Sequence, residues 1–540
     1  MGVDAAAVTS EEAAHYRAAG WWTDTTLSDC VRRNANQTPD KPAYIDFSLH
    51  SPETVLTWSE FDHAATNLAK RLLTFGVAPG DGVAVWHKDT SAVHVLLVAI
   101  ERCGATAVGL GARSGVREAT AIMRTAQPTL VVTDQERLAP AQQAAAEADA
   151  RLRVAAIAHD LDTTPEADGT NGLTPIGPDD VFLINSTSGT TGLPKCVVHT
   201  QNRWHYFHQK AVANGELTPD DVFLSVLPMP FGFGIWTSHT TPIYLGATAI
   251  RIEKFDAAAA CAAIAKHQAT VLCCVSTQLA MMLANQASRE YDLTSLRVVF
   301  TGGEPLPYSQ AARFEELTGA TILQFYGSNE TGILSATTVA DPLHRRLRTA
   351  GRIVPEMQVR LFDGDRDVTQ SGRGQPACRG PALSLGYLGG TDHDKLFTRD
   401  GWMRMGDICE LDADGYLTLT GRTSDFILRG GKNISAVQVE EAVATHPAVA
   451  VAAAVAMPDA VFGERVCVFV ELTDAAALDL PTLVEHLLQQ GVSKELLPER
   501  LEVLDELPRS SGGKIAKGQL RDRIRSTLEE SLEIQQEQVK

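Results

Sequence analysis

The chain has 540 residues, which is too many for one compact hydrophobic core, so we expect at least two domains. Its 44% hydrophobic and 21% charged residues are an ordinary balance for a soluble globular protein. The formal net charge of -19 argues against a nucleic-acid or anionic-membrane partner, because both bind basic patches.

The cysteines and the apolar runs indicate the compartment. The nine cysteines form no Cys-x-x-Cys pair, which favours reduced thiols over a disulfide frame or structural zinc. The N-terminus lacks a basic start followed by an apolar core, and the apolar runs are too short to span a bilayer. We therefore expect a cytoplasmic protein without a membrane span.

Helices and strands alternate in the first part of the chain. Thr57-Trp-Ser-Glu60 has the spacing of a capping box and predicts a helix that runs to Phe75. The pattern then predicts strands at 83–86, 105–108 and 130–132 and helices at 91–103 and 118–126. This alternation implies a parallel, doubly wound sheet.

A loop rich in Gly, Ser and Thr lies between two apolar strands, and its sequence is Ser186-Thr-Ser-Gly-Thr-Thr-Gly-Leu-Pro-Lys195. Small residues let a backbone fold around oxyanions, and the lysine adds a positive charge, so this composition indicates phosphate binding. It is not a Walker A loop, because Pro194 precedes the lysine and Cys196 follows it. The alternative is a flexible linker, although linkers seldom separate two apolar strands.

Two later segments are predicted to follow strands. Buried strands are expected at 271–276 and 297–301; Gly302-Gly-Glu-Pro305 comes after the second of these, and residues 324–327 come after the next strand. In open α/β sheets ligands collect beyond the carboxyl ends of strands. Both segments are therefore predicted to point toward one site.

The remainder of the chain changes character. After about residue 355 the strands become short and turn-rich, which predicts a small β subdomain. From about residue 425 a compact α+β domain is predicted, with helices at 437–446, 480–490 and 521–540 and strands at 449–455 and 465–472.

Five motifs resemble those of the adenylate-forming superfamily, which contains acyl-CoA synthetases, peptide-synthetase adenylation domains and beetle luciferases. They are the loop 186–195, Tyr326-Gly-Ser-Asn-Glu330, Trp402-Met-Arg-Met-Gly-Asp407, Gly421-Arg-Thr-Ser-Asp425 continuing to Gly431, and Pro508-Arg-Ser-Ser-Gly-Gly-Lys514. The resemblance covers nearly the whole chain. It implies a large domain of parallel doubly wound sheets with a small β subdomain at 1–423, followed by a small mobile α+β lid domain at 424–540.

The resemblance also implies which residues bind ATP or AMP. Asp407 would accept both ribose hydroxyls, although without the resemblance it would be taken for a turn aspartate. Arg422 would contact ribose and phosphate. The predicted nucleotide-binding residues are Thr187, Ser188, Gly189, Thr190, Thr191, Gly192, Gly303, Glu304, Pro305, Tyr326, Gly327, Asn329, Asp407 and Arg422.

Three residues are predicted to be catalytic, namely Lys195, Glu330 and Lys514. A single carboxylate beside ATP phosphates suits Mg2+, which makes Glu330 the predicted metal ligand by the resemblance; a solvent-facing loop glutamate is the alternative. Lys514 resembles the catalytic lysine of the superfamily, and an exposed tail lysine is the alternative. Asn329 stands where the superfamily usually has threonine, and it still offers a donor to a phosphate oxygen.

The resemblance implies that the lid domain rotates between two catalytic poses. In one pose Lys514 faces the site, and in the other the loop around Gly431 lines a channel for the pantetheine thiol. The predicted hinge is Ser424, where relatives often carry Asp or Lys.

The segment Pro230-Phe-Gly-Phe-Gly-Ile-Trp236 resembles the one whose aromatic residue, here Phe231, gates the substrate carboxylate. Amino-acid-activating relatives carry Asp at the position of Gly232 and dihydroxybenzoate ligases carry Asn, which argues against both substrate types. Phe233 and Trp236 are equally consistent with core packing. The predicted acyl pocket consists of Phe231, Gly232, Trp236, Gly303, Gly327 and Gly332.

The predicted function is the ATP- and Mg2+-dependent activation of an apolar carboxylic acid (alicyclic, terpenoid-like, aryl or medium-chain) to acyl-AMP, followed by thioester formation with CoA. One alternative is an acyl-AMP ligase that loads the phosphopantetheine of a carrier protein. A less favoured alternative is a non-catalytic nucleotide- or acyl-binding relative. The sequence leaves the oligomeric state open.

Overall fold

The computed structural model of the protein describes residues 8–157, 161–165, 169–187, 194–285, 287–303, 306–390, 393–422, 426–429, 432–459, 462–473, 476–510 and 513–538.

The first stretch of the chain contributes to two sheets. Its strands are β1 (Pro42–Asp46), β2 (Thr54–Thr57), β3 (Gly82–Trp86), β4 (Thr106–Gly109), β5 (Leu130–Thr133), β6 (Arg153–Ala156), β7 (Val181–Thr187), β8 (Lys195–Thr200), β9 (Val222–Ser225) and β10 (Thr248–Arg251). Its helices are α1 (Ser10–Ala18), α2 (Leu27–Gln37), α3 (Trp58–Thr74), α4 (Ser91–Arg102), α5 (Val116–Ala126), α6 (Leu138–Ala148), α7 (Gln201–Gly215), α8 (Gly232–Ile235) and α9 (Thr241–Leu245), with a π-helix at Trp236–Thr240.

The start of α3 follows from local chemistry. The Thr57 hydroxyl accepts a hydrogen bond from the Glu60 amide at 3.2 Å, and the Glu60 carboxylate accepts one from the Thr57 amide at 2.8 Å. This capping box satisfies amides that have no partner in the first turn of a helix. The predicted helix is confirmed, and the neighbouring predicted elements are present with small shifts at their ends.

The middle stretch completes the second sheet and adds the β subdomain. Its strands are β11 (Val271–Cys273), β12 (Val298–Thr301), β13 (Thr321–Ser328), β14 (Gly332–Ala336), β15 (Arg352–Ile353), β16 (Gln358–Asp363), β17 (Arg366–Asp367), β18 (Arg373–Arg379), β19 (Met403–Arg404), β20 (Asp407–Leu411) and β21 (Leu417–Arg422). Its helices are α10 (Ala257–His267), α11 (Ser276–Ala284), α12 (Ala287–Glu290), α13 (Tyr308–Thr318), α14 (Leu343–Arg348) and α15 (His393–Leu396), with 3-10 turns at Thr369–Ser371 and Leu388–Gly390.

Two predicted boundaries in this stretch are wrong. The strand predicted at 271–276 ends at Cys273, and Ser276 already begins α11. Residues 324–327 lie inside β13 and do not follow it. The strand continues to Ser328 because its last four residues pair with β14 in an antiparallel register, a long-range partner that the local sequence does not reveal.

The last stretch forms a sheet of its own. Its strands are β22 (Phe426–Arg429), β23 (Lys432–Ser435), β24 (Val449–Asp459), β25 (Gly463–Leu472) and β26 (Arg500–Val503). Its helices are α16 (Ala436–Val443), α17 (Leu480–Gln489) and α18 (Lys517–Gln538), with a 3-10 turn at Lys494–Leu496.

Within the described residues these strands form four sheets. One has the order β6-β5-β3-β4-β7-β8 and another the order β15-β14-β13-β12-β11-β9-β10-β1-β2. Both are parallel at their centres and antiparallel toward one or both edges. The β subdomain has the order β17-β16-β18-β20-β21 with β19 beside β18, and the last sheet has the order β23-β22-β25-β24 with β26 beside β25.

The two large sheets share one apolar core. Val83 and Val85 of β3 belong to the same buried cluster as Phe223 of β9 and Val271 of β11. Alternate residues of the same strands, such as Ala84, belong to separate clusters covered by outer helices. Apolar side chains on both faces of a strand are typical of parallel sheets covered by helices on both sides. The predicted doubly wound architecture is therefore confirmed.

The sheet of the last stretch packs on the rest of the molecule through α11. Ala280 of α11 belongs to the same buried cluster as Val451, Phe469 and Leu520. The predicted domain boundary at 423/424 lies outside the described residues and stays a prediction. Among the helices that the structure describes, we find none with the length and apolar character needed to cross a bilayer.

Candidate active site

The two ends of the Gly-rich loop are held side by side. Thr187 ends β7, Lys195 begins β8, and these residues face each other in an antiparallel pair. The predicted phosphate-binding residues between them, Ser188, Gly189, Thr190, Thr191 and Gly192, lie outside the described residues, so their contacts stay predictions.

A tyrosine links Lys195 with the predicted metal ligand. The Lys195 Nζ atom lies 4.9 Å from the centroid of the Tyr387 ring. The Tyr387 hydroxyl donates a hydrogen bond to Glu330 Oε1 at 2.8 Å. The tertiary structure therefore brings two predicted catalytic residues to one aromatic side chain.

Glu330 is held by a tight turn after β13. The Ser328 hydroxyl accepts hydrogen bonds from the amides of Glu330 at 3.2 Å and Thr331 at 3.1 Å. The Glu330 carbonyl accepts a hydrogen bond from the Ser384 amide at 2.7 Å. These bonds fix the backbone that carries the carboxylate.

The residues predicted to bind ribose come together although they are far apart in sequence. The Tyr326 hydroxyl donates to Asp407 Oδ2 at 2.8 Å. Asp407 begins β20 and faces Arg422 across the pair with β21. The side chain of Arg422 is outside the described part of the molecule.

Lys514 of the last stretch lies against the end of β12. A Cβ atom built on Gly303 would be 3.0 Å from both Cε and Nζ of Lys514, and Gly303 has a φ of +77°. The Lys514 carbonyl accepts a hydrogen bond from the Ser510 amide at 2.7 Å, which closes the lysine loop. Glu304 and Pro305 are not described.

The predicted acyl segment begins beside Gly111. A Cβ atom at Gly111 would be 2.8 Å from the Phe231 ring. Trp236 is only 2% exposed and its ring packs between Phe207, at a centroid distance of 4.8 Å, and Phe233, at 5.5 Å. This packing favours the core alternative for Trp236, and its role in an acyl pocket stays a prediction.

Two predicted pocket glycines have a packing reason. A Cβ atom on Gly327 would clash with the Gly332 carbonyl across β13 and β14. Gly332 has a φ of +67°, and a Cβ atom there would lie 2.5 Å from the Ala382 carbonyl. Both positions require glycine whether or not they contact an acyl group.

Comparison with known proteins identifies the family. Residues 31–388 match the model of the AMP-binding enzyme family, and residues 438–514 match the model of the AMP-binding enzyme C-terminal domain. The chain belongs to the AMP-binding enzyme family.

Known relatives of this AMP-binding enzyme align over most of its length. A medium-chain fatty-acid–CoA ligase of Escherichia coli (strain K12) is 31% identical over 544 residues, covering 95% of this chain and 93% of the relative. A salicyl-AMP ligase / salicyl-S-ArCP synthetase of Mycobacterium tuberculosis (strain ATCC 25618 / H37Rv) is 31% identical over 538 residues, covering 94% and 92%. The solved structure of the anthranilate CoA ligase AuaEII with anthranoyl-AMP has a TM-score of 0.82 at 23% identity, covering 93% and 98%, and supports the fold.

The enzyme is an acid–thiol ligase of the adenylate-forming superfamily, in which ATP and CoA are the substrates of the acyl-CoA ligases. The carboxyl ends of β12 and β13, the start of β20 and the lysine loop lie together, and they carry residues of the predicted site. This arrangement agrees with the rule that ligands bind beyond the carboxyl ends of parallel strands.

A buried arginine lies behind the Glu330 turn of this AMP-binding enzyme. Arg203 donates from Nη1 to the Asn329 carbonyl and from Nε to the Ala382 carbonyl, both at 2.9 Å. Burial lowers the pKa of Arg203 to about 9, and the charge of Glu330 opposes that shift. The arginine therefore stays protonated at neutral pH.

Sequence reasoning missed Tyr387 and Arg203. Tyr387 is 57 residues from its partner Glu330, and Arg203 is 126 residues from Asn329. Both lie outside the five motifs, and their residue types gave no signal. Cys196, which follows the lysine of the Gly-rich loop, is buried, and burial raises the pKa of its thiol to about 11.

Proposed function

We propose that this AMP-binding enzyme activates an apolar carboxylic acid with ATP to an acyl adenylate and then transfers the acyl group to the thiol of CoA. The contact between Lys514 and Gly303 carries the proposal, because it joins the ammonium of the last stretch to the edge where Tyr326 and Glu330 also lie. An acid and an ATP molecule bound at this edge would meet cationic groups from both sides.

In the first half-reaction a carboxylate oxygen of the acid attacks the α-phosphorus of ATP. A new O–P bond forms while the bond from the α-phosphorus to the bridging oxygen of the β-phosphate breaks, and the electron pair leaves with pyrophosphate. Two anions approach each other in this step. The ammonium groups of Lys514 and Lys195 would lower that repulsion and stabilise the charge that develops on the departing phosphates.

The nucleotide would be held by residues of β13 and β20. The Asp407 carboxylate would accept the ribose hydroxyls, and its hydrogen bond from Tyr326 supports a fixed orientation for it. Asn329 would donate to a phosphate oxygen. Fixed contacts of this kind reduce the entropy lost when the α-phosphorus is aligned with the acid.

Glu330 fits a magnesium ion shared with ATP. The bond from Tyr387 orients its carboxylate, and no group of three or more His, Cys, Asp or Glu able to hold a metal occurs within the described ranges. Mg2+ usually takes one or two carboxylates and completes its shell with phosphate oxygens and water. When bound, the ion would neutralise phosphate charge.

The acyl segment favours an apolar acid. Phe231 and Phe233 supply apolar surface, and Gly232 offers no counter-ion for a substrate amine. The medium-chain and salicyl relatives support medium-chain and aryl acids as classes to test, and alicyclic and terpenoid-like acids complete the panel.

In the second half-reaction the CoA sulfur attacks the acyl carbonyl carbon. A C–S bond forms, the C–O bond to the phosphate breaks with its electron pair leaving on AMP, and the thiol proton passes to solvent. The predicted hinge Ser424 and channel residue Gly431 lie outside the described residues and stay predictions. The salicyl-S-ArCP synthetase relative keeps a carrier-protein thiol as the alternative acceptor.

Pyrophosphate release with ATP and Mg2+ over a panel of carboxylic acids, with and without CoA, tests the proposal. We expect release that depends on an apolar acid, and the mass of the acyl-CoA only after CoA is added. Acyl-AMP that accumulates and is not discharged by CoA would instead identify the carrier-protein ligase. No adenylate with any acid class would overturn the proposed substrate.

A further inference from the structure

A chain of buried polar side chains runs from α7 to the acyl segment. Its members are Arg203, His199, Asn185 and Asn329; the first three are at most 2% exposed. Asn185 lies in β7, immediately before the Gly-rich loop, whereas Asn329 lies in the turn that carries Glu330. None of the roles proposed above uses Arg203, His199 or Asn185.

The direction of every hydrogen bond in this chain follows from its first member. A guanidinium only donates, so His199 Nδ1 accepts from Arg203 Nη1 and the imidazole carries its proton on Nε2. His199 Nε2 therefore donates to Asn185 Oδ1 at 2.7 Å. Burial, and to a lesser extent the charge of Arg203, lowers the pKa of His199 well below its usual range, in agreement with a neutral ring.

Asn185 connects the two halves of the site. Its Oδ1 atom also accepts from Asn329 Nδ2 at 2.6 Å, and its Nδ2 atom donates to Asn329 Oδ1 at 3.2 Å. The same Nδ2 atom donates to the Pro230 carbonyl at 2.9 Å, directly before Phe231. One amide thus holds the acyl segment and the phosphate-side turn together.

The lack of a side chain at Gly232 belongs to the same arrangement. A Cβ atom built on Gly232 would lie 2.8 Å from Asn329 Oδ1, so the Asn329 amide lies where a side chain at 232 would begin. Asn329 departs from the usual threonine of the superfamily, and Gly232 differs from the Asp or Asn of the amino-acid- and dihydroxybenzoate-activating relatives. The contact explains the two departures together, since the amide at 329 requires glycine at 232.

Burying polar side chains costs free energy unless each polar group is hydrogen-bonded. In the described part of the chain Arg203 Nη2 has no hydrogen-bond partner, although the side chain is buried. An unpaired buried donor costs free energy that apolar packing would avoid. Such a cost is consistent with a group kept for its effect on a neighbouring site.

We propose that Asn185 is a positioning residue, held by His199 and Arg203, that couples the acyl segment to Asn329, so that the geometry at Gly232 controls nucleotide binding. This inference rests on the proposed function only in taking the Asn329–Glu330 turn as the phosphate side. Disturbance of the acyl segment should therefore change the affinity for nucleotide even when no acid is present.

The test is equilibrium binding of α,β-methylene-ATP with Mg2+, in the absence of acid, to the full-length enzyme. Gly232→Ala should weaken binding about tenfold, because its methyl group displaces the Asn329 amide. Gly232→Ala combined with Asn329→Thr should recover most of that loss, since threonine is shorter and keeps a donor. Asn185→Leu should also weaken binding about tenfold.

Asn34→Leu is the matched control for a lost buried amide. Asn34 is buried in α2 and donates to the Ile243 carbonyl at 2.9 Å, so its loss should lower the thermal midpoint without changing nucleotide affinity. Unchanged affinity in Gly232→Ala, or no recovery in the double variant, would overturn the proposal. Failure of the proposed function would be visible separately, as a wild-type enzyme that binds the nucleotide analogue but activates no acid.

Discussion

Two of the charged side chains that would face the reacting phosphates, Glu330 and Lys514, are held in different ways. Glu330 lies on a turn bonded to Ser328, Ser384 and Tyr387, all in the part of the chain before residue 422. Lys514 is exposed, on a loop closed by backbone bonds with Ser510. The carboxylate is therefore fixed by contacts within the part of the chain before residue 422, whereas the lysine belongs to the last stretch, which the resemblance predicts to rotate between two poses.

The described contacts between the last stretch and the rest of the molecule are partly polar. Ala280 packs into the cluster of the last stretch, Gln310 donates to the Ala450 carbonyl at 3.2 Å, and Arg509 lies 3.7 Å from the Met281 sulfur. Partly polar contacts are typical of interfaces between domains of one chain, and the resemblance predicts that the last stretch changes pose. The variants that follow distinguish Glu330, which is fixed before residue 422, from Lys514, which lies on the last stretch.

Lys514→Ala should lower the rate of adenylate formation by about a thousandfold, because one preorganised group at a developing charge contributes on that order. Thioester formation from supplied acyl-AMP should change little. Pyrophosphate release and acyl-CoA production, assayed separately, measure the two steps. Lys494→Ala, which removes another exposed lysine of the last stretch, is the control. Equal loss in both half-reactions would contradict the two-pose account.

Glu330→Gln should lower kcat/KM for ATP by about a hundredfold and raise the Mg2+ concentration needed for half-maximal activity. Tyr387→Phe keeps the ring beside Lys195 but removes the hydrogen bond to Glu330. We therefore expect kcat/KM for ATP to fall about tenfold in this variant. A magnesium titration of both variants measures the effect. An unchanged magnesium requirement in Glu330→Gln would exclude Glu330 as the metal ligand.

Ala280→Asp should lower adenylate formation by about tenfold, because it buries a charge between the last stretch and the rest of the molecule while Lys514 faces the site. Discharge of supplied acyl-AMP should be affected less. Ala284→Asp, on the exposed side of the same helix, is the matched control and should be close to wild type. If Ala280→Asp slows both steps equally, the contact at α11 does not belong to one pose alone.

A substitution of Glu101 tests the stability of the part of the chain before residue 422, because Glu101 is not among the predicted site residues. Burial raises its pKa to about 7, although bonds from Ser28 and neighbouring groups oppose the shift. The folded state therefore binds more protons than the unfolded state between pH 4.5 and about 7, and this contribution to stability is lost as the pH rises through that window. Wild type should lose this contribution as the pH rises from 4 to 8, whereas Glu101→Gln has no carboxyl group to titrate. The free energy of unfolding of the variant, minus that of wild type, should therefore rise by up to about 3 kcal/mol over this range. Thermal midpoints at both pH values measure the change, and a pH-independent difference would contradict it.

Local sequence signals were reliable where the structure itself is local. The capping box of Thr57 and Glu60 predicted the start of α3, and the apolar runs predicted β3 and β5. The end of β13 was misplaced because its pairing with β14 depends on residues beyond the strand. The acyl segment was harder to assign, since a tryptophan in sequence is equally consistent with a pocket wall and with the core, and only its packing favours the core.

The sequence by itself determined the α/β class, the family and the motif residues, because periodicity, turn chemistry and motif spacing are properties of neighbouring positions. The tertiary structure alone decided which of these residues meet. Tyr326 with Asp407, Lys514 with Gly303, and Asn185 with Asn329 are contacts between positions at least 81 residues apart. Such pairs follow from sheet order and domain packing, which depend on the burial of the whole core and not on any one segment.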